Sequence, residues 1–271
     1  MPEIIFRNAP LVEIVVELRW QPGAGQMPIP LSPTGPVQPQ FSLVVGSQLD
    51  AFMNRFGSEI AQHGFRRVER LIPPGIPMIP GQVVTRFKSD SDKVTVLYQV
   101  GPGVFTANAT PPYRSWENFL PEVEQGLGAL FSARDASESG TPFRTVSLRY
   151  IDAFNATLTQ GKHPAAFLSE VLKFTLELPE VIDKYRVPEQ PYKPYLTLTI
   201  PVKDGVISLN YGEALVSGKQ AILFDTTYSV TANIASDKKA IVDVLHSSHG
   251  AIRDIFLELT KPIHALMQPE H

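Results

Sequence analysis

The chain has no cysteine. Disulfides, thiolate metal sites and cysteine nucleophiles are therefore excluded, and a reducing compartment is the natural setting. Positive charge is not in excess: 24 Lys and Arg stand against 27 Asp and Glu, a formal net charge of −3. No global field then draws in nucleic acid or an anionic membrane, which argues against both as partners. Apolar runs long enough to span a bilayer are missing. The first residues, MPEIIFRNAPLVEI, lack a basic segment followed by an apolar run and a small-residue cleavage site. That predicts no secretory leader and a cytoplasmic, bacterial protein.

Motifs of catalysis are scarce as well. There is no GxSxG, no SxxK at a helix start, no HExxH and no glycine-rich phosphate cradle. GPG at 101–103 reads as a hairpin turn. Asp243, His246 and His249 share a broad helix face, but a zinc site needs further ligands. The prediction is no metal, with these histidines exposed or capping and the cofactor, if any, unknown. His63, just before Gly64, fits a helix end by its dipole interaction.

What is present is a folded composition, 43% hydrophobic and 19% charged over 271 residues, and an unusual 25 prolines. Prolines 22, 28, 30, 33, 36 and 39 forbid helix or central strand over 21–40, which reads as a long loop, either a surface crossing or a binding arm. GSQLDAFMNRFGSEIAQHGF follows, with Leu49, Phe52, Met53, Phe56, Ile60 and Ala61 at helical spacing, Ser47 as N-cap and Gly64 near the end. Strands around QVVTRFK, KVTVLYQV and GVFTANA, separated by SDSD and GPG, make an antiparallel meander. SWENFLPEVEQGLGALFSA is a second helix, burying Phe119, Val123, Leu127, Leu130 and Phe131.

Beyond the polar segment 133–142, read as a linker, the order returns. Strand FRTVSLRYIDAFN precedes helix PAAFLSEVLKFTLEL, strands YLTLTIPV, GVISLNYG and AILFDTTYSVTAN, and a long last helix. Leu18-Arg19-Trp20 lies 130 residues before Leu148-Arg149-Tyr150. The expected class is α+β: two tandem repeats of strand, helix, three strands and helix, over 1–135 and 143–271, with antiparallel sheets carrying helices on one face. This order resembles helix-grip and TATA-binding-protein-like folds, a likeness of fold without function.

APLVEIVVELRW, TVSLRYIDAF and DVLHSSHGAIRDIFLELT together resemble a sporadically distributed family of prokaryotic proteins of about this length. Pro10, Glu13 and Arg19 match its N-terminal pattern, and Arg149, Tyr150 and Ile151 its central one, whereas Asp152 stands where the pattern has Asn. The resemblance extends over nearly the whole chain and implies no catalytic residue.

In PLVEIVVELRW, alternation places Ile14, Val16, Leu18 and Trp20 on the core face. Glu13, Val15, Glu17 and Arg19 take the other, where Glu17 and Arg19 are spaced to pair. Register puts Ser147 and Arg149 on the equivalent face, and Asp225, Thr227, Ser229, Thr231 and Asn233 on one face of their strand. One reading is a solvated sheet surface. The other is a binding face where arginines 19 and 149 take a carboxylate or phosphate in their planar fork. The candidate ligand-binding residues are Glu17, Arg19, Arg149, Asp152 and Asp225.

Three functions compete. The first is a non-catalytic module binding a partner protein or a small anionic ligand. The second is a small-molecule enzyme with a cavity between sheet and long helix, using Glu17, Asp152 or Asp225 as general base; a buried carboxylate of raised pKa would favour it. The third is a nucleic-acid binder using Arg66, Arg67 and Arg70 of GFRRVER. The sequence leaves the oligomeric state open.

Overall fold

The computed structural model describes residues 4–21, 26–27, 43–44, 46–73, 76, 78–112, 115–187 and 189–270. Most of the proline-rich segment 21–40 lies outside them.

The protein is α+β. Nine strands form one sheet: β1 (Leu11–Trp20), β2 (Arg67–Arg70), β3 (Thr85–Lys88), β4 (Val96–Gly101), β5 (Val104–Ala109), β6 (Phe143–Phe154), β7 (Leu196–Val202), β8 (Gly205–Val216) and β9 (Lys219–Val230). Their order is β2-β3-β4-β5-β1-β6-β9-β8-β7. The ladders β2/β3, β3/β4, β4/β5 and β7/β8 are antiparallel. The long helices are α1 (Gly46–Ala61), α2 (Trp116–Ala133) and α3 (Lys238–Thr260). Contacts divide the chain into a larger unit, 15–148 with 229–246, and a smaller one, 1–14 with 149–228 and 247–271.

In the larger unit the expected alternation of β1 holds, with Val16, Leu18 and Trp20 buried. Helix α1 begins at Gly46, so Ser47, expected just before it, lies within its first turn. Leu49, Phe52, Met53, Phe56 and Ile60 of its predicted stripe are buried, and Ala61 is half-buried. Phe56 meets Phe87 of β3 and Phe105 of β5 at ring-centre distances of 5.2 and 5.9 Å. Helix α2 packs on the same face, and Gly126 sets how close it comes. A Cβ there would stand 2.5 Å from Tyr98 and 2.8 Å from Phe105, so only glycine allows this approach.

The segment after α2, expected as a linker, is a packed turn. Arg134 lies over the rings of Trp20 and Phe143, 5.2 and 4.8 Å from their centres. It donates to Ser236 Oγ and to the carbonyls of Glu138 and Thr141. Polar composition concealed this role because the apolar partners lie elsewhere in the chain.

In the smaller unit two-residue turns close long hairpins. Asp204 at φ 66°, and Ser217 and Gly218 at 51° and 77°, supply the left-handed conformations such turns require. The predicted helix from Pro164 to Leu178 is much shorter. A turn at Ala156–Thr159, capped by the Asn155 side chain, is followed by helical turns over 164–171. Lys173 then goes left-handed at φ 63°, and Phe174 N–H donates to the Leu168 carbonyl, a six-residue closure that ends the helix. Leu158, Phe167, Leu168, Ile263 and Met267 pack against Ile207, Leu209, Tyr211, Ile222 and Phe224.

Candidate functional site

On the sheet face turned away from the helices, each unit carries one hydrogen-bonded row of polar side chains. In the larger unit Glu69, Arg86, Gln99 and Thr106 stand directly opposite one another on β2, β3, β4 and β5. Arg86 Nη1 donates to Glu69 at 3.3 Å and its Nη2 to Gln99 Oε1 at 3.5 Å. Gln99 Nε2 donates to Thr106 at 3.3 Å and to Asn108 Oδ1 at 3.2 Å. The hydrogen bond from Lys88, then its charge and that of Arg86, hold the Glu69 carboxyl below its usual range.

Glu17 and Arg19 pair on β1 as their spacing predicts. Arg19 Nε and Nη2 donate to the two Glu17 oxygens at 2.6 and 3.1 Å, and Nη1 reaches the Gly81 carbonyl at 3.2 Å.

In the smaller unit the row runs through Thr197, Asn210, Asp225 and Arg149, on β7, β8, β9 and β6. Thr197 donates to Asn210 Oδ1 at 3.0 Å, and Asn210 Nδ2 reaches Asp225 at 3.5 Å. Arg149 grips both Asp225 oxygens, Nε at 2.9 Å and Nη2 at 2.7 Å. The geometry is the parallel fork that favours arginine over lysine. Asp225 is nearly buried, its side chain 7% exposed, while that of Arg149 is 44% exposed.

The face is not uniformly solvated. Thr106, Asn108, Ser147 and Asp225 are all buried, and Ser147 satisfies its hydroxyl with that of Ser229 at 2.8 Å. The predicted polar series on β9 continues past the strand, which ends at Val230, so Thr231 and Asn233 lie beyond it.

Asp152 belongs to the smaller unit too. Strand alternation puts it with Tyr150, on the side where Tyr150 Oη meets His249 Nδ1 of α3 at 2.8 Å. Burial, and next the charge of Asp225, push its carboxyl up to about 8. At neutral pH Asp152 therefore carries its proton. The second histidine of the pair lies in the larger unit, where Trp116 Nε1 donates to His246 Nδ1 at 3.1 Å. An indole only donates, so His246 must accept there and, when neutral, holds its proton on Nε2.

Other expected sites resolve differently. Arg66, Arg67 and Arg70 each face an aspartate: Asp90, Asp92 and Asp50 at 3.5, 2.7 and 3.8 Å. Arg66 and Arg70 border a groove of about 760 Å³ between α1 and β2, lined by Asn54, Val68 and Phe87 among others. Among the described residues no group of three or more histidines and carboxylates is placed to hold a metal ion. Nor is any helix of those residues long and apolar enough to cross a membrane.

Asn210, Thr197 and the whole larger-unit row escaped the sequence reading, because cross-strand partners depend on register. Asn210, a poor strand former inside ISLNYG, was the one local signal. In comparison with known proteins, no family model, curated protein or solved structure matches the chain.

Proposed function

We propose that the chain is a non-catalytic binding module of the cytoplasm, made by duplication of a strand-helix-three-strand-helix unit. The resemblance to the sporadically distributed family is part of this reading. The module takes up a carboxylate or phosphate, from a small molecule or from an acidic segment of a partner protein, on the row that ends at Arg149. One observation carries it. Arg149 is half exposed, yet its orientation is fixed by a buried carboxylate, so no side-chain ordering remains to be done when a ligand arrives. The strand order supports duplication: outward from β1 run β5, β4 and β3, and outward from β6 run β9, β8 and β7.

Thermal unfolding with inorganic phosphate, citrate, ATP and an oligoglutamate peptide tests this reading. A ligand at one hundred times its dissociation constant stabilises by about 2.7 kcal/mol. The expected result is a rise in Tm that Arg149→Lys abolishes, since lysine keeps the charge and loses the fork. A rise equal in both proteins would defeat the assignment to Arg149. Response to citrate or phosphate alone marks a small-molecule ligand, and response to the peptide alone marks a protein partner.

A second reading, a small-molecule enzyme, is favoured by the raised pKa of Asp152. Glu17 and Asp225 are engaged by arginines and make poor bases. Asp152 suits a general acid near neutrality. Carboxyl titration by NMR, with Asp152→Asn as the assignment control, checks it; a midpoint near 4 would remove the reading.

A further inference from the structure

The two edges of the sheet differ in kind. At one end β2, Arg67-Val-Glu-Arg70, is short and three of its four residues are charged. Charged, short edges are how sheets avoid pairing with other chains. At the other end β7, Leu-Thr-Leu-Thr-Ile-Pro-Val, runs seven residues without a charge. Exposed apolar side chains accompany it: Ile200 on the strand itself, Tyr195 just before it and Leu215 on the neighbouring β8.

We propose that β7 pairs antiparallel with β7 of a second copy, joining two sheets across a two-fold axis near Thr199. Three features select a copy of the same chain as the occupant. First, parity: Leu196, Leu198 and Val202 adjoin the helix-side core, while Thr197 bonds to Asn210 on the opposite face. A two-fold axis perpendicular to the sheet leaves each face on its own side, so apolar rows meet and threonine rows meet. Second, charge: the same symmetry sets every charge beside its like, which β2 would suffer and β7 does not. Third, the ends carry charges of both signs. A register centred on Thr199 brings residues 193–195 of one copy alongside 203–205 of the other, and so sets the Lys193–Glu213 ion pair next to the Lys203-Asp204 turn.

Pro201 is compatible with this pairing. Proline in an edge strand turns its donorless side to solvent, and by ladder alternation Thr197 and Thr199 turn their N–H groups the same way. The central pair of hydrogen bonds then uses Thr199 of both copies, and the next pair runs from Thr197 N–H to the Pro201 carbonyl.

The test is the mass of the full chain in solution by sedimentation velocity from 1 to 100 μM. The expected result is a dimer whose dissociation constant rises at least tenfold in Thr199→Pro, which removes the axial donor, and in Ile200→Lys, which brings like charges to the axis. Val68→Lys on the opposite edge leaves the mass unchanged. Far-UV circular dichroism and Tm confirm that each variant folds, and if Thr199→Pro does not, Ile200→Lys decides. A monomer throughout the range overturns the proposal, as does a dimer indifferent to both β7 variants. Neither result touches the ligand site at Arg149, which is read by its own thermal shift.

Discussion

Arg19 and Arg149 occupy the same tripeptide pattern, leucine-arginine-aromatic, and each grips a carboxylate with Nε and Nη2. Their settings nevertheless differ. Arg19 reaches back two residues along its own strand to Glu17, and both side chains stand well in solvent, 44% and 30% exposed. Arg149 reaches across to β9, where Asp225 is nearly buried and its charge bears on a second buried carboxyl, Asp152. A motif thus specifies where an arginine points, while the partner strand decides what it does. In the larger unit β5, the strand beside β1, carries the neutral Thr106 and Asn108 on this face.

The largest test of that contrast is Arg149→Ala. It leaves the nearly buried Asp225 carboxylate beside Asn210, and because Arg149 is itself 44% exposed the loss should fall below the roughly 3–5 kcal/mol of a fully buried pair while exceeding that of a surface pair. Urea unfolding should show that loss, and Arg149→Ala combined with Asp225→Ala should recover part of it by removing the stranded charge. A double variant as unstable as the sum of the singles would mean that the pair is not coupled.

Asp152→Asn should have the opposite sign. The folded protein holds this carboxyl at about 8, while the unfolded chain releases its proton near the ordinary 3.8. Below pH 4 both states are protonated and the group is neutral to stability. Between pH 4 and pH 8 the unfolded state alone ionises, so the wild type loses stability as pH rises; above pH 8 both ionise and the slope vanishes. The Asn variant lacks this slope. Its advantage should therefore grow from nothing at pH 4 to a plateau at pH 8, by more than the roughly 1.4 kcal/mol that one pKa unit represents.

Comparing sequence with structure shows which kinds of information are local. Alternation along LVEIVVELRW and helical spacing from Leu49 to Ile60 are properties of one segment, and both burial patterns were legible in advance. So was the Glu17 to Arg19 pair, two residues apart. The mate of Arg149 was not, because Asp225 is 76 residues distant and meets it only once the strands are in register. The packing of Arg134 was hidden for a related cause: it sits among polar residues in sequence and between aromatic rings in space. The predicted helix beyond Pro164 failed because helical spacing continues to Leu178 while Lys173 turns left-handed and closes it early.

Two buried tyrosines extend the comparison to the helix side. Tyr98 of β4 donates its hydroxyl to the Glu122 carbonyl of α2 at 2.7 Å, and Tyr211 of β8 donates to the Pro164 carbonyl at 2.6 Å. Burial, followed by a neighbouring glutamate charge, raises the pKa of both. Each fastens a strand to the helical segment above it. Tyr98→Phe and Tyr211→Phe should each cost about 1 kcal/mol, the net worth of such a bond, as measured by thermal unfolding. A cost confined to one of them would show that the two strands are fastened to their helical segments with different strength.

The smallest effect belongs to Arg19. Its ion pair with Glu17 lies in solvent, and exposed pairs contribute at most about 1 kcal/mol. Its third contact is with the Gly81 carbonyl, itself next to a backbone bond from Gly81 N–H to the Pro102 carbonyl. Arg19→Ala should therefore lower stability by less than 1 kcal/mol, and by less still in 0.5 M salt, where the exposed pair is screened. Arg149→Ala should lose more and respond little to salt, since its carboxylate is out of water. Equal losses for the two arginines would mean that burial of Asp225 does not govern the pair, and the case for Arg149 as the fixed end of a binding row would lose its physical ground.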